Sequence, residues 1–175
     1  GARIVGEFDF SFSTFAVPLA LENCEIIEPV NLSGVTAPFI SLKGSNVRQL
    51  NFDHLELRTD LVLTGVDLQS LDEDQYALSA DNAHIGGSLL LDERFCAKGE
   101  VRLMGAVITG QLDCSGGTFE NENGYALNAD GVRVWGDLIL EEKFCAKGEV
   151  RFLGADIAGQ LNCLVESLKM RIERP

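Results

Sequence analysis

The chain has 175 residues, 46% of them apolar, and a formal charge of −13 at pH 7. The apolar share is that of a globular core and excludes a disordered chain, while the acidity opposes approach to nucleic-acid phosphates or an anionic bilayer. No apolar run nears the roughly 18 to 20 residues of a membrane helix, and the first ten residues lack the basic head and cleavage site of a secretory signal.

The chain opens on Ile4, Gly6, Phe8 and Phe10, which alternate as one face of a strand. Further starts of the same kind fall near Ile26, Val47 and Val66. Around Val47, Phe52, Leu57 and Val62 an apolar residue returns at every fifth position, with Leu50 and Leu55 two places before two of them. The pattern is sharpest in the second half. Ile85-Gly87-Leu89-Leu91 is followed by Ile108-Gly110-Leu112-Cys114, Val134-Gly136-Leu138-Leu140 and Ile157-Gly159-Leu161-Cys163, in steps of 23, 26 and 23 residues. Two steps make the most visible repeat, in which LLLDERFCAKGEVRLMGAVITGQLDC from Leu89 returns as LILEEKFCAKGEVRFLGADIAGQLNC from Leu138. The offset is 138 − 89 = 49 residues. Units that recur this way cannot bury their apolar faces alone and do so by stacking. The expected fold is all-β, a single-stranded β-solenoid of about eight coils over residues 1–163.

Between these strands, Val101 and Leu103 alternate with Glu100 and Arg102, and Val150 and Phe152 with Glu149 and Arg151, as a second wall with charge toward water. The segment from Ser115 to Tyr125, with its GGTFENENG stretch, reads as an outward loop. After Cys163 the repeat stops. Leu164, Leu168 and Ile172 recur at spacings of four, so residues 164–175 are expected to form a short helical cap over the last coil.

The five-residue beat resembles the pentapeptide-repeat family, whose members form right-handed quadrilateral β-helices; the resemblance implies that handedness here. The phrases GEVRLMGAVITGQLDCSGGTF and GYALNADGVRVWGDLIL resemble a bacterial repeat family whose members are often labelled membrane-associated oxidoreductases. The enzyme label has no support in the residues: no glycines stand at i and i+2, so GxGxxG is absent, and no strand-helix alternation predicts a dinucleotide fold.

Chemistry-bearing residues read mostly as structure. The five cysteines, Cys24, Cys96, Cys114, Cys145 and Cys163, are odd in number and form no CxxC, which argues for a reducing cytoplasm and against a disulfide framework or zinc site. Cys114 and Cys163 share a column with Leu91 and Leu140, two turns or roughly 10 Å apart, too far to cross-link. His84 has Arg133 as its repeat equivalent and reads as a surface histidine; His54 and Asp53 are strand neighbours and face opposite ways. The acids Asp72, Glu73 and Asp74, and Glu120 with Glu122, match no calcium-loop pattern and read as solvated turns. Asp92-Glu93 and Glu141-Glu142 are equivalent and should form one acidic ridge. No catalytic, cofactor or metal site is expected.

A non-enzymatic scaffold or protein-interaction module is therefore expected, with a candidate surface at the outward apolar residues Leu90, Trp135 and Ile139. A protein partner or self-association follows, including a homodimer through the solenoid ends or an exposed strand face. The pentapeptide resemblance implies one alternative, an acidic mimic of duplex DNA that inhibits a topoisomerase. The cations Lys98, Arg102, Lys147 and Arg151 would interrupt such a surface.

Overall fold

The computed structural model describes residues 1–70 and 76–163. These form a right-handed parallel β-solenoid, with no helix among the described residues. Coil 5 shows the plan, with four short strands at Cys96–Lys98, Glu100–Arg102, Val107–Ile108 and Leu112–Asp113 on four successive walls. Each strand pairs in parallel with its equivalents one coil before and one coil after. The third and fourth walls are separate six- and seven-stranded sheets. The first two are joined because the long strands Thr118–Asn128 and Cys145–Arg151 run through the corner between them.

Why these residues form these strands is plain from what they bury. Each wall inserts two residues, at i and i+2, into the interior. Residues 30 to 57 do so with an unbroken beat of five: Val30/Leu32, Val35/Ala37, Ile40/Leu42, Ser45/Val47, Leu50/Phe52 and Leu55/Leu57 are all buried. The residue between each pair faces out, and several of these are Asn or Asp for a local reason. Asn31, Asn51 and Asp113 accept the backbone N–H two residues on, from Ser33, Asp53 and Ser115, at 3.2, 2.9 and 2.9 Å. Such a bond mimics a backbone turn and sets the corner. Along the interior the aromatic rings of Phe95, Phe119 and Phe144 stack with centroids 5.3 and 5.2 Å apart.

The columns read from Ile85 onward agree residue for residue with the pairing. Ile85, Ile108, Val134 and Ile157 are register partners, as are Leu89, Leu112, Leu138 and Leu161. The earlier half requires a correction: there are seven coils among the described residues, where eight starts were expected. Ile4, Ile26 and Val47 do stack, but on the first wall, and their column continues to Leu68 and Ala97. Ile85 belongs to the third wall of the coil that Leu68 opens, so Val66 and Ile85 mark one coil and not two. An insertion after Gln69 lengthens that coil and gave the 19-residue gap the look of a full turn.

The segment from Ser115 to Tyr125 is also less of a loop than expected. Thr118–Asn128 is one strand, paired with Cys145–Arg151 across two register shifts, between Glu120 and Tyr125 and between Tyr125 and Leu127. Only the residues at those shifts leave the ladder. The expected cap at 164–175 and the acids Asp72, Glu73 and Asp74 lie outside the described residues.

Burial separates the cysteines. Cys24 and Cys114 are buried, Cys96 is half-buried, and Cys145 and Cys163 are exposed. Burial, reinforced by Asp113 and Asp92, pushes the Cys114 thiol well above its usual range, which keeps it protonated and unreactive. Native protein treated with iodoacetamide should therefore modify Cys145 and Cys163 first, with Cys24 and Cys114 labelled only after denaturation. Mass mapping of the alkylated peptides checks this order; early loss of the Cys114 thiol would contradict the wall assignment.

Candidate interaction surface

The outward positions of the fourth wall form one column: Ala20, Ser41, Val62, Leu90, Asp113, Ile139 and Asn162. Leu90 and Ile139 are half-buried in it, two coils apart, with Asp113 between them. Val62 lies directly beside Leu90. Trp135 stands at the corner between the third and fourth walls and is 65% exposed. Its equivalents are Thr109 and Ala158 in the adjacent coils, with Gly86 and Arg58 in the two coils before Thr109, as the corner bonds show: Trp135 N–H donates to Ile108 O at 3.0 Å, Ala158 N–H to Val134 O at 2.9 Å, and Arg58 N–H to Ala37 O at 3.2 Å. Together with Arg133, Val134, Asp156 and Ala158 it lines a shallow cleft of about 50 Å³. The three expected contact residues thus share one side of the solenoid, as two positions of a column and one adjacent corner.

Much of the acidity has structural work at the corners. Asp53 accepts the N–H of Asp81, Asp81 that of Met104, and Asp130 that of Leu153, at 2.9, 3.0 and 2.9 Å. Asp60 and Asp137 do the same for Ser88 and Gln160, at 2.7 and 2.8 Å. These carboxylates tie each coil to the next through backbone donors that would otherwise lack a partner.

The expected cationic ladder is read differently once its partners are known. Arg102 pairs with Asp81, Arg151 with Asp130 at 2.8 Å, and Lys147 with Glu120 at 2.6 Å, each time using a carboxylate of the preceding coil. Arg151 also donates to the Tyr125 hydroxyl at 2.9 Å, with its guanidinium 5.4 Å from the centre of that ring. The hydrogen bond to Glu120 raises the Lys147 ammonium above its usual range. Three of the four ladder cations are therefore neutralised by neighbouring carboxylates. Tyr76, Asp81 and Arg102 recur 49 residues later as Tyr125, Asp130 and Arg151, within YALSAD and YALNAD. The repeat thus begins at Tyr76, earlier than the apolar columns alone revealed.

Asp92-Glu93 and Glu141-Glu142 both fall at the corner from the fourth wall to the first, two coils apart. Glu93 N–H donates to Ser115 O at 3.0 Å, and Gly116 N–H to Glu141 O at 3.1 Å. Burial, with Asp113 and Glu93 nearby, raises the Asp92 carboxyl, while the Thr64 hydroxyl donates to it at 2.6 Å. His84 lies on the open face of the third wall, 3.4 Å from Glu56, with both side chains more than half exposed.

The arrangement defines a class: a parallel β-solenoid with four walls, an apolar core and polar corners. No helix among the described residues is long and apolar enough to cross a membrane. Comparisons with protein-family models, curated proteins and solved structures find no match to this chain.

Proposed function

We propose that this protein is a non-enzymatic, pentapeptide-repeat-like scaffold that engages a protein partner through the side carrying Leu90, Trp135 and Ile139. The observation that supports it is Trp135. Its corner is built by threonine and alanine in the two adjacent coils, so folding places no demand for an indole there, yet the ring is 65% exposed. Tryptophan contributes large contact area at low entropic cost and is enriched where interfaces concentrate their energy. The half-buried Ile139 and Leu90 extend the apolar area along the next wall. Seven stacked coils give such a surface a rigid backing, since every strand is held from both sides except at the ends.

DNA mimicry is the second reading, supported by the net charge of −13 and by the pairing of the cations that would break up an acidic face. The corner carboxylates count against it, because their oxygens are occupied by backbone donors.

A photo-crosslinking residue at position 135 tests the first reading. In cell extract it should give one discrete adduct that Leu90→Asp together with Ile139→Asp removes, with circular dichroism and melting temperature unchanged. A diffuse smear, or an adduct indifferent to those substitutions, would overturn it. Inhibition of a topoisomerase by the Trp135→Ala variant at full strength would favour the mimic.

A further inference from the structure

Two residue pairs place an Asn or Asp side-chain carbonyl directly before a glycine nitrogen, Asn123-Gly124 and Asp130-Gly131. In such a pair the backbone nitrogen can attack the preceding side chain, because glycine has no Cβ to hold it away. The fold treats the two pairs in opposite ways.

Asp130-Gly131 is locked. The Asp130 carboxylate accepts the Leu153 N–H at 2.9 Å and pairs with the Arg151 guanidinium at 2.8 Å. Gly131 N–H, whose nitrogen would have to attack, donates to Leu153 O at 2.8 Å. Both reactants are therefore held by the next coil, facing away from each other's chemistry.

Asn123-Gly124 lies in the bulge between Glu120 and Tyr125. Residues 121–124 have no register partner on coil 7, and on coil 5 the pairs stop at Glu120 and resume only at Leu127. The bulge is tied at its base by the Asn121 side-chain amide, which donates to Tyr125 O at 2.9 Å. That bond occupies Asn121. Asn123 stands beyond it, exposed, and its carboxamide meets no partner among the described residues. Every other asparagine precedes a residue with a side chain, and Asn31 and Asn51 are further engaged by the N–H groups of Ser33 and Asp53.

We propose that the fold selects Asn123 as a site of spontaneous modification, at which Asn123 cyclises with Gly124 to a succinimide that opens to aspartate and isoaspartate. The Gly124 nitrogen, its proton taken by hydroxide, attacks Asn123 Cγ. A bond forms between them, the Cγ–Nδ2 bond breaks, and Nδ2 leaves as ammonia with a proton returned from water. Water then opens the ring at either carbonyl: at Cγ it restores the ordinary backbone, and at the main-chain carbonyl it leaves the chain running through Cγ. Water is the only co-reactant. The product carries a carboxylate beside Glu122 where a neutral amide stood. Strand pairs up to Glu120 and from Leu127 onward lie outside the bulge, so the solenoid gains negative charge with age and keeps its coils joined.

Incubation of the full chain at neutral and alkaline pH, followed by mass mapping of its peptides, tests this. The peptide containing Asn123 should gain the mass of an NH2-to-OH exchange and split into two chromatographic species. Its rate should rise in proportion to hydroxide and stay within a few-fold of that in a free peptide of residues 118–128. Asp130 should isomerise more than an order of magnitude more slowly in the folded chain than in a free peptide of residues 126–135. Gly124→Ala should slow the change at Asn123 by more than an order of magnitude. That variant should fold, since the nearest atom to its Cβ is Asn121 Nδ2, a movable side-chain end at 3.0 Å, and circular dichroism checks this. Asn123 surviving in the folded chain while the free peptide converts, conversion undiminished in a folded Gly124→Ala variant, or Asp130 changing as fast as in its peptide would each overturn the proposal.

Discussion

Replacing Phe119 with Ala is expected to cost about 3–5 kcal/mol of stability, the largest loss from any single truncation in this chain. Phe119 is fully buried, and it is the middle ring of three, so its removal strips contact from Phe95 below and Phe144 above together. The backbone on either side is fixed by strand pairing to Cys96–Lys98 and Cys145–Arg151, which limits how far the cavity can collapse. Denaturant unfolding at equilibrium reads the effect as a lower midpoint. Phe144→Ala should cost less, since Phe144 is 3% exposed and has a single aromatic neighbour. A loss under about 1 kcal/mol at Phe119 would mean the interior is looser than the stacked columns require.

Gly148→Ala should be the most damaging addition of a single methyl group, by about 2–4 kcal/mol. The residue has φ +143°, where L side chains are strained, and a Cβ there would lie 2.2 Å from Asn121 O and 2.9 Å from Gly124 O. Both are backbone atoms of the preceding coil, at the first register shift in Thr118–Asn128, so relief requires that segment to move. Gly154 supplies the comparison: its φ is +67°, but a Cβ would meet nothing within 4 Å. Gly154→Ala should therefore cost about 1 kcal/mol, from backbone strain alone. Thermal melts of the two variants check the contrast; equal losses would place the cost in φ and not in the crowded corner.

The Gly148 environment also explains FCAKGEV, the most closely repeated stretch of the chain. Its glycine turns the first wall into the second beneath the residues that bulge from the neighbouring coil, and its alternation is that of two short strands. What sequence periodicity could reach was the columns, because a residue that points inward in every coil is apolar in every coil. Ile85, Ile108, Val134 and Ile157 are legible for that reason. The coil count was not, because Ile4, Ile26 and Val47 obey the same alternation on a different wall, and an insertion after Gln69 broke the spacing that would have told the walls apart.

Polar partnerships are harder still to read, since an aspartate that caps the next coil looks the same as one that faces water. Asp81 with Arg102, and Asp130 with Arg151, lie about one coil apart in sequence and needed the register to be paired. The duplication of YALSAD as YALNAD was the available signal. Leu90, Trp135 and Ile139 were legible as outward residues by strand alternation. Asp113 between Leu90 and Ile139, and Thr109 beside Trp135, follow from the same alternation; the corner bonds that set Trp135 against Thr109 and Ala158 do not.

The central claim is that this chain is a stack of interchangeable coils whose 49-residue unit spans two of them, with binding left to the walls and ends. An in-frame deletion of residues 76–124 joins equivalent positions and should leave a cooperatively unfolding β protein about 10 Å shorter by small-angle scattering, two strand spacings less. A deletion of residues 85–134, one residue longer and cut within the strand His84–Ile85, puts Trp135 in the inward position of Ile85 and should not fold. If both deletions fold, or neither does, the coils are not the units described.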